Sequence, residues 1–201
     1  MKIYRAVSFE RREIIHPVDD ADWENFTVRL NGRPQKENWT PIPVRIVKEE
    51  YDGTKWMPAT SPWLGSHALV FKEDAAIKLG AFLTDAGELL PLECADEPLY
   101  VWQPLCIVDA LDIDSSDVSR FSDGRLMRIR RHAFRSEMLD GVVAFKIPNL
   151  RSSCIYLSER AVQVMSPVVS DGLGFEVIWD SEKKKPNQAP EPMPLKRHGL
   201  S

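Results

Sequence analysis

Short apolar runs separated by turn-forming residues mark the first third of the chain. Lys2 to Ser8, Phe26 to Leu30 and Pro43 to Val47 contain many β-branched and aromatic residues, which predicts three strands. Pro, Gly, Asn and Asp fill much of the sequence between His16 and Trp63, and these residues favour turns. We therefore expect this region to be rich in loops.

The middle of the chain has the clearest pattern. Ala68 to Phe71 form an apolar run, which predicts a strand. Apolar residues then recur with a 3.6-residue period from 72 to 85, which predicts a helix. Gly87 supplies a C-terminal stop for that helix, and Leu89 to Leu92 form the next apolar run. The predicted unit is strand, helix, strand.

The same order of patterns returns 86 positions later. Phe71 aligns with Leu157, and Glu73 aligns with Glu159, so a second helix is predicted over 158–169. Pro167 falls inside this helix and removes one backbone hydrogen bond unless the helix bends or ends there. Two explanations stay open: an internal duplication, or two ordinary strand-helix-strand units in one fold.

These patterns predict an α+β fold with a mainly antiparallel or mixed sheet, in a single domain over residues 1–180. The runs "GRLMRIRRHAF" and "GVVAFKIPNL" are expected to pair as antiparallel strands. Residues 181–201 have no periodicity and contain several prolines, which predicts a disordered tail.

The composition indicates the cellular compartment and argues against a membrane-spanning helix. The 201 residues are 43% hydrophobic and 28% charged, which is typical of a globular chain. The three cysteines are odd in number and lie in apolar surroundings, so we expect free thiols in a reducing compartment. No window approaches the roughly 20 apolar residues of a membrane helix, and no signal-peptide pattern opens the sequence. We expect a cytoplasmic protein.

Four aspartates follow the apolar run 99–108 within nine positions. Read as a calcium loop from Asp112, the sequence has Asp117 where the loop needs Gly and Asp123 where it needs Glu, so we expect no calcium site. A catalytic carboxylate pair stays open, because two carboxylates at almost any spacing can face each other. The simpler interpretation is a strand through Ile107 and Val108 that ends at Asp109, followed by turn residues. The four residues are Asp109, Asp112, Asp114 and Asp117.

Arginines, histidines and tryptophans are further candidates for a site. The stretch from Arg125 to Arg131 contains four arginines, which is the best nucleic-acid signal, but the net charge of −4 favours a solvated or ion-paired strand face. The four histidines lack metal-ligand spacing, so no metal or other cofactor is expected. Trp56 and Trp63 lie in a Pro-rich loop and are expected either to cover the core or to anchor an interface.

The order of these segments resembles a family of bacterial immunity proteins from polymorphic-toxin systems. It is the eleventh immunity family, typified by a myxobacterial member and formerly a domain of unknown function. The likeness covers about residues 38–179, and its most specific piece is "YLSERAVQVM" followed by an apolar strand. The other pieces are "NWTPIPV", "KEDAAIKLGAFL", "ELLPL", "LYVWQPLCIVDALDIDSSDV" and "GFEVIW".

The resemblance implies a protein that binds a cognate toxin and blocks it without catalysis. It carries no catalytic motif onto any position of this chain. Because many toxins that act on nucleic acid have basic clefts, we expect an acidic face over Asp109 to Asp117 to meet a basic toxin. The alternatives are a hydrolase that uses the aspartates, and a nucleic-acid binder that uses Arg125 to Arg131.

Overall fold

A computed structural model describes residues 1–148, 150 and 153–183. The helices are α1 (Asp22–Arg29), α2 (Glu73–Ala86) and α3 (Glu159–Val169), and single 3-10 turns lie at Lys36–Asn38 and Ser136–Met138. The strands are β1 (Lys2–Ser8), β2 (Ile14–Pro17), β3 (Pro43–Val47), β4 (Leu69–Lys72), β5 (Gly87–Cys94), β6 (Leu99–Pro104), β7 (Asp117–Arg120), β8 (Leu126–Arg131), β9 (Ala144–Phe145), β10 (Tyr156–Ser158) and β11 (Leu173–Asp180).

The strands form two larger sheets and one ribbon. The first sheet has the order β11-β1-β10-β9, the second has the order β2-β3-β5-β6-β4, and β7 pairs with β8 alone. The β3–β5 pair is parallel and the other strand pairs are antiparallel. The predicted α+β class with a mainly antiparallel or mixed sheet is therefore confirmed.

The two strand-helix-strand units are also confirmed, and they share one arrangement. In the first unit, β4 and β5 both run antiparallel to β6, which lies between them. In the second unit, β10 and β11 both run antiparallel to β1. The helices α2 and α3 begin 86 residues apart, and so do β5 and β11. Pro167 does not end α3, which continues to Val169.

The buried apolar side chains form three clusters, and the two faces of each sheet contribute to different clusters. The central cluster lies between the sheets and contains α2, α3 and the fully buried Trp102. A second cluster, with Phe26 and Leu30 of α1, covers the other face of the five-stranded sheet. The third cluster, with Tyr156 and Phe145, lies on the outer face of the first sheet beneath residues 106–139. The alternation of neighbouring residues between clusters follows the two-residue period of a strand.

Three predicted elements differ from the structure. The predicted strand Phe26–Leu30 belongs to α1, because Phe26 and Leu30 lie four residues apart on the buried face of a helix. The predicted pairing of "GRLMRIRRHAF" with "GVVAFKIPNL" is wrong, since β8 pairs with β7 and β9 pairs with β10. The predicted strand through Ile107 to Asp109 is also wrong, because β6 ends at Pro104.

The predicted tail is described only at its beginning. Ser181 donates its backbone N–H to the Met1 carbonyl at 3.0 Å, which extends the edge contact between β11 and β1. The rest of the predicted tail, 184–201, lies outside the described residues. Within the described part of the chain, no helix combines the length and apolar character needed to cross a bilayer.

Candidate interaction surface

Asp109, Asp112 and Asp114 lie on an irregular segment that is anchored to the core between them, and Asp117 begins β7. Ala110 and Leu111 are buried in the third apolar cluster, and Leu111 forms a bridge with Phe134. Asp109, on one side of this anchor, and Asp114, on the other, are exposed. The sequence therefore fixes the segment through two apolar residues and leaves its acidic side chains near water.

The carboxylates contact separate partners and do not form a pair. Asp109 lies 3.7 Å from Arg135, which also donates to the Asp109 carbonyl. Asp117 forms an ion pair with Arg130 at 3.1 Å. Asp112 accepts a hydrogen bond from the Ser115 backbone N–H at 3.1 Å and thereby closes a turn.

Asp114 has a different environment from the other three. It is exposed, and no side chain or backbone group among the described residues bonds to it. It is therefore a free negative charge in the part of the chain that the structure describes. Two of the aspartates form ion pairs and one closes a turn, so only Asp112 has the turn role that the simpler interpretation gave to these residues.

The β7–β8 ribbon continues this surface. Its turn contains Gly124 at φ 86°, a left-handed conformation that favours glycine, and Asp123 holds Arg125 at 2.7 Å. Phe121 and Met127 are 46% and 48% exposed. The ribbon thus presents large apolar side chains to water beside its charged ones.

The surface formed by residues 109–135, which we call the ribbon surface, is mixed in charge. It contains five aspartates and six arginines and no lysine or glutamate. The sequence predicted an acidic face here. The surface is instead mixed in charge, because Arg130 and Arg135 form ion pairs with Asp117 and Asp109. The sequence analysis favoured a solvated or ion-paired face for Arg125 to Arg131, and the pair of Arg130 with Asp117 fits that expectation.

The two tryptophans do not join the ribbon surface. Trp63 is half-buried, packs against the central cluster, and donates its backbone N–H to the Glu13 carbonyl. Trp56 is also half-buried, but it lies beside β3 and donates its indole N–H to Glu50 at 3.2 Å. Trp63 therefore covers the core, whereas Trp56 lines a separate cavity of about 590 Å³ with Lys48 and Lys55.

A cavity of about 570 Å³ opens between the ribbon surface and β11. Of the four aspartates, only Asp112 lines it, together with His132 and Trp179. His132 lies 3.3 Å from the Tyr156 hydroxyl, and burial, aided by Arg5, lowers its pKa to about 4. The imidazole is therefore neutral at physiological pH, and it packs in an aromatic group with Phe134 and Tyr156.

Lys146 is a chemically unusual residue that sequence reasoning missed. It is 2% exposed, and its ammonium donates to the Leu30 carbonyl at 2.6 Å and the His67 carbonyl at 2.9 Å. Burial lowers its pKa to about 8. The signal in the sequence was a single charged residue inside the apolar run "VVAFKI", since such a position is rarely solvated.

The remaining chemical candidates are weak in the described part of the chain. No group of three or more His, Cys, Asp or Glu residues is close enough there to hold a metal ion. The cysteines Cys94, Cys106 and Cys154 are free thiols. Burial raises the pKa of Cys154 to about 11, so this thiol stays protonated at neutral pH. No protein-family model matches the chain, and no curated protein matches it either.

Proposed function

We propose that this protein is an immunity protein that binds a cognate bacterial toxin in a stoichiometric cytoplasmic complex and blocks it without a chemical step. The observation that carries the proposal is the ribbon surface, where Phe121 and Met127 are exposed between charged side chains. Apolar anchors within a polar rim are typical of protein interfaces. The resemblance of the sequence segments to the immunity family supports the same proposal.

The mixed charge changes the expected partner. A uniformly acidic face favours a uniformly basic toxin, whereas this surface offers the free Asp114 and also the exposed Arg128. We therefore propose a toxin surface with a basic group opposite Asp114 and an acidic group opposite Arg128. Complementary charges of this kind increase the association rate and fix the orientation of the complex.

The alternative functions have less support from the same residues. A hydrolase needs two carboxylates at one reacting bond, but Asp109 and Asp117 contact different arginines. A nucleic-acid groove needs unpaired basic groups, but Arg130 and Arg125 are each held by an aspartate. The ribbon surface is therefore better suited to a protein partner.

Co-expression tests the function directly. The protein is produced with the product of the adjacent reading frame, and growth and co-purification are measured. We expect a 1:1 complex and restored growth of cells that express the neighbour. Separate elution of the two proteins with no rescue would reject the immunity function for that pair. Hydrolysis of a substrate panel or steeply salt-dependent binding of DNA or RNA would instead favour one of the alternatives.

Two substitutions test the proposed surface. Asp114→Lys should lower the association rate of the purified pair about tenfold at low salt, because it reverses a free interfacial charge. Asp20→Lys is the matched control, since Asp20 is exposed and its replacement makes the same change in net charge. Phe121→Ala should weaken the complex at least about fivefold, while Ile77→Ala, on the exposed face of α2, should not. Equal effects of test and control variants would exclude the ribbon surface as the binding site.

A further inference from the structure

A cavity of about 360 Å³ lies where the end of α1 meets the chain that follows β9. Its size is at the lower end of the range for small-molecule sites. Its walls combine apolar side chains with two cations and one amide. They include Asn31, Arg33, Ile107, Lys146, Pro148 and Leu150.

Lys146 provides a buried positive charge that no carboxylate among the described residues neutralises. Its two acceptors are the backbone carbonyls of Leu30 and His67, which are neutral. An ammonium group has three N–H donors, and no third acceptor occurs among the described residues. A buried charge without a counter-ion is costly, so an anion that reaches Lys146 gains a strong interaction.

Arg33 provides the second cation, on a backbone that is held in place. Its N–H bonds to the Asn31 side-chain oxygen at 3.0 Å, and its carbonyl accepts from the Gln103 amide at 2.9 Å. Gln103 is fully buried, and its oxygen also accepts from the Gly32 N–H. The Arg33 guanidinium itself has no partner in the part of the chain that the structure describes.

We propose that this cavity binds a small oxyanion, the carboxylate or phosphate-like group of a metabolite, between Lys146 and Arg33. Guanidinium and ammonium groups are the usual protein donors to such oxyanions. The apolar wall formed by Ile107 and Leu150 would contact the rest of the ligand. The site is separate from the ribbon surface that the proposed toxin contact uses, and it does not depend on that contact.

Protonation of Lys146 links this binding to pH. Burial holds the pKa of Lys146 near 8, so its charge is lost as the pH rises above that value. The neighbouring groups do not change charge over the same range: the pKa of His67 is lowered to about 4 and that of Cys154 is raised to about 11. Arg33 stays charged throughout. Anion affinity should therefore be constant near pH 7 and fall above pH 8.

Calorimetric titration of the full chain tests the proposal. Sodium sulfate represents the phosphate-like group, sodium malonate represents the carboxylate, and sodium chloride at equal ionic strength is the blank. We expect saturable binding of at least one anion with a stoichiometry of one, and about tenfold weaker binding at pH 9 than at pH 7, because about nine-tenths of Lys146 is then neutral. Preference for sulfate or for malonate identifies which group the cavity takes.

Variants separate this site from general anion attraction. Arg33→Gln should weaken binding about tenfold, which is the loss expected for one charge-assisted hydrogen bond. Arg45→Gln removes an exposed arginine on β3, outside both proposed binding sites, and should leave anion binding unchanged. Lys146→Met should abolish binding, and the exposed Arg33 provides the test if that variant does not fold. No saturable binding of either anion, equal weakening by both arginine variants, or pH-independent binding would overturn the proposal.

Discussion

Acid should destabilise this protein well before its carboxylates titrate, because two partly buried histidines are neutral in the fold. Burial lowers the pKa of His67 to about 4, with a further contribution from Lys146. Burial also lowers the pKa of His132 to about 4, with a contribution from Arg5. In the unfolded chain both imidazoles have an ordinary pKa of about 6.5.

The sign of the effect follows from which state binds more protons. Between pH 6.5 and pH 4 the unfolded chain takes up protons that the folded protein rejects, so the free energy of unfolding falls as the pH falls. Above pH 6.5 the histidines are neutral in both states, so they no longer change the free energy of unfolding as the pH rises. Each histidine accounts for about 3 kcal/mol over the whole window, and for about 1.4 kcal/mol between pH 7.5 and pH 5.5.

Urea unfolding at several pH values measures this dependence. We expect the free energy of unfolding to be about 3 kcal/mol lower at pH 5.5 than at pH 7.5, which is a large part of the stability of an ordinary domain. His132→Gln removes one of the two titrating groups and should halve the difference. A free energy that is unchanged over this range, or a loss that is the same in the wild type and in His132→Gln, would refute the reasoning.

Substitutions at three sites test the packing around α2. Trp102→Phe should lower the free energy of unfolding by about 2–3 kcal/mol in urea, because it empties core volume and removes the 2.9 Å hydrogen bond to the Leu83 carbonyl. Gly80→Ala should raise it by about 0.5–1 kcal/mol, since the added Cβ meets nothing within 4 Å. Gly87→Ala should lower the melting temperature, because its Cβ would collide with the Gln103 carbonyl. Melting temperatures of the two glycine variants that move in the same direction would contradict the packing described for this helix and its C-terminal end.

The local sequence pattern is sufficient to predict an element when its apolar residues recur with the period of the structure that it forms. The strand Lys2–Ser8 and the helix Glu73–Ala86 are predicted closely, because their apolar residues recur with the periods of a strand and of a helix. Helix α1 is missed because "NFTVRL" contains β-branched residues that favour strands. Burial of Phe26 and Leu30 on one helical face outweighs that preference.

Long-range pairing explains most of what the sequence leaves open. The dipeptide Asp123-Gly124 is a recognised hairpin signal, and it favours the pairing of β8 backward with β7. The contact of Asp109 with Arg135 joins residues 26 positions apart, and Lys146 reaches a carbonyl 116 positions away. No periodicity encodes such contacts, because they depend on how separate segments pack.

The place of β1 between β10 and β11 has a consequence for synthesis of the chain on the ribosome. The strands and helix of the first unit, from β4 to β6, are complete by residue 104 and can begin to fold early. In the second unit the middle strand, β1, is made first, but its partners β10 and β11 are made much later, since Lys2 pairs with Asp180. An unpaired strand edge is prone to mispairing, and non-local pairing is slow. The nascent chain must therefore keep β1 unpaired during most of its translation.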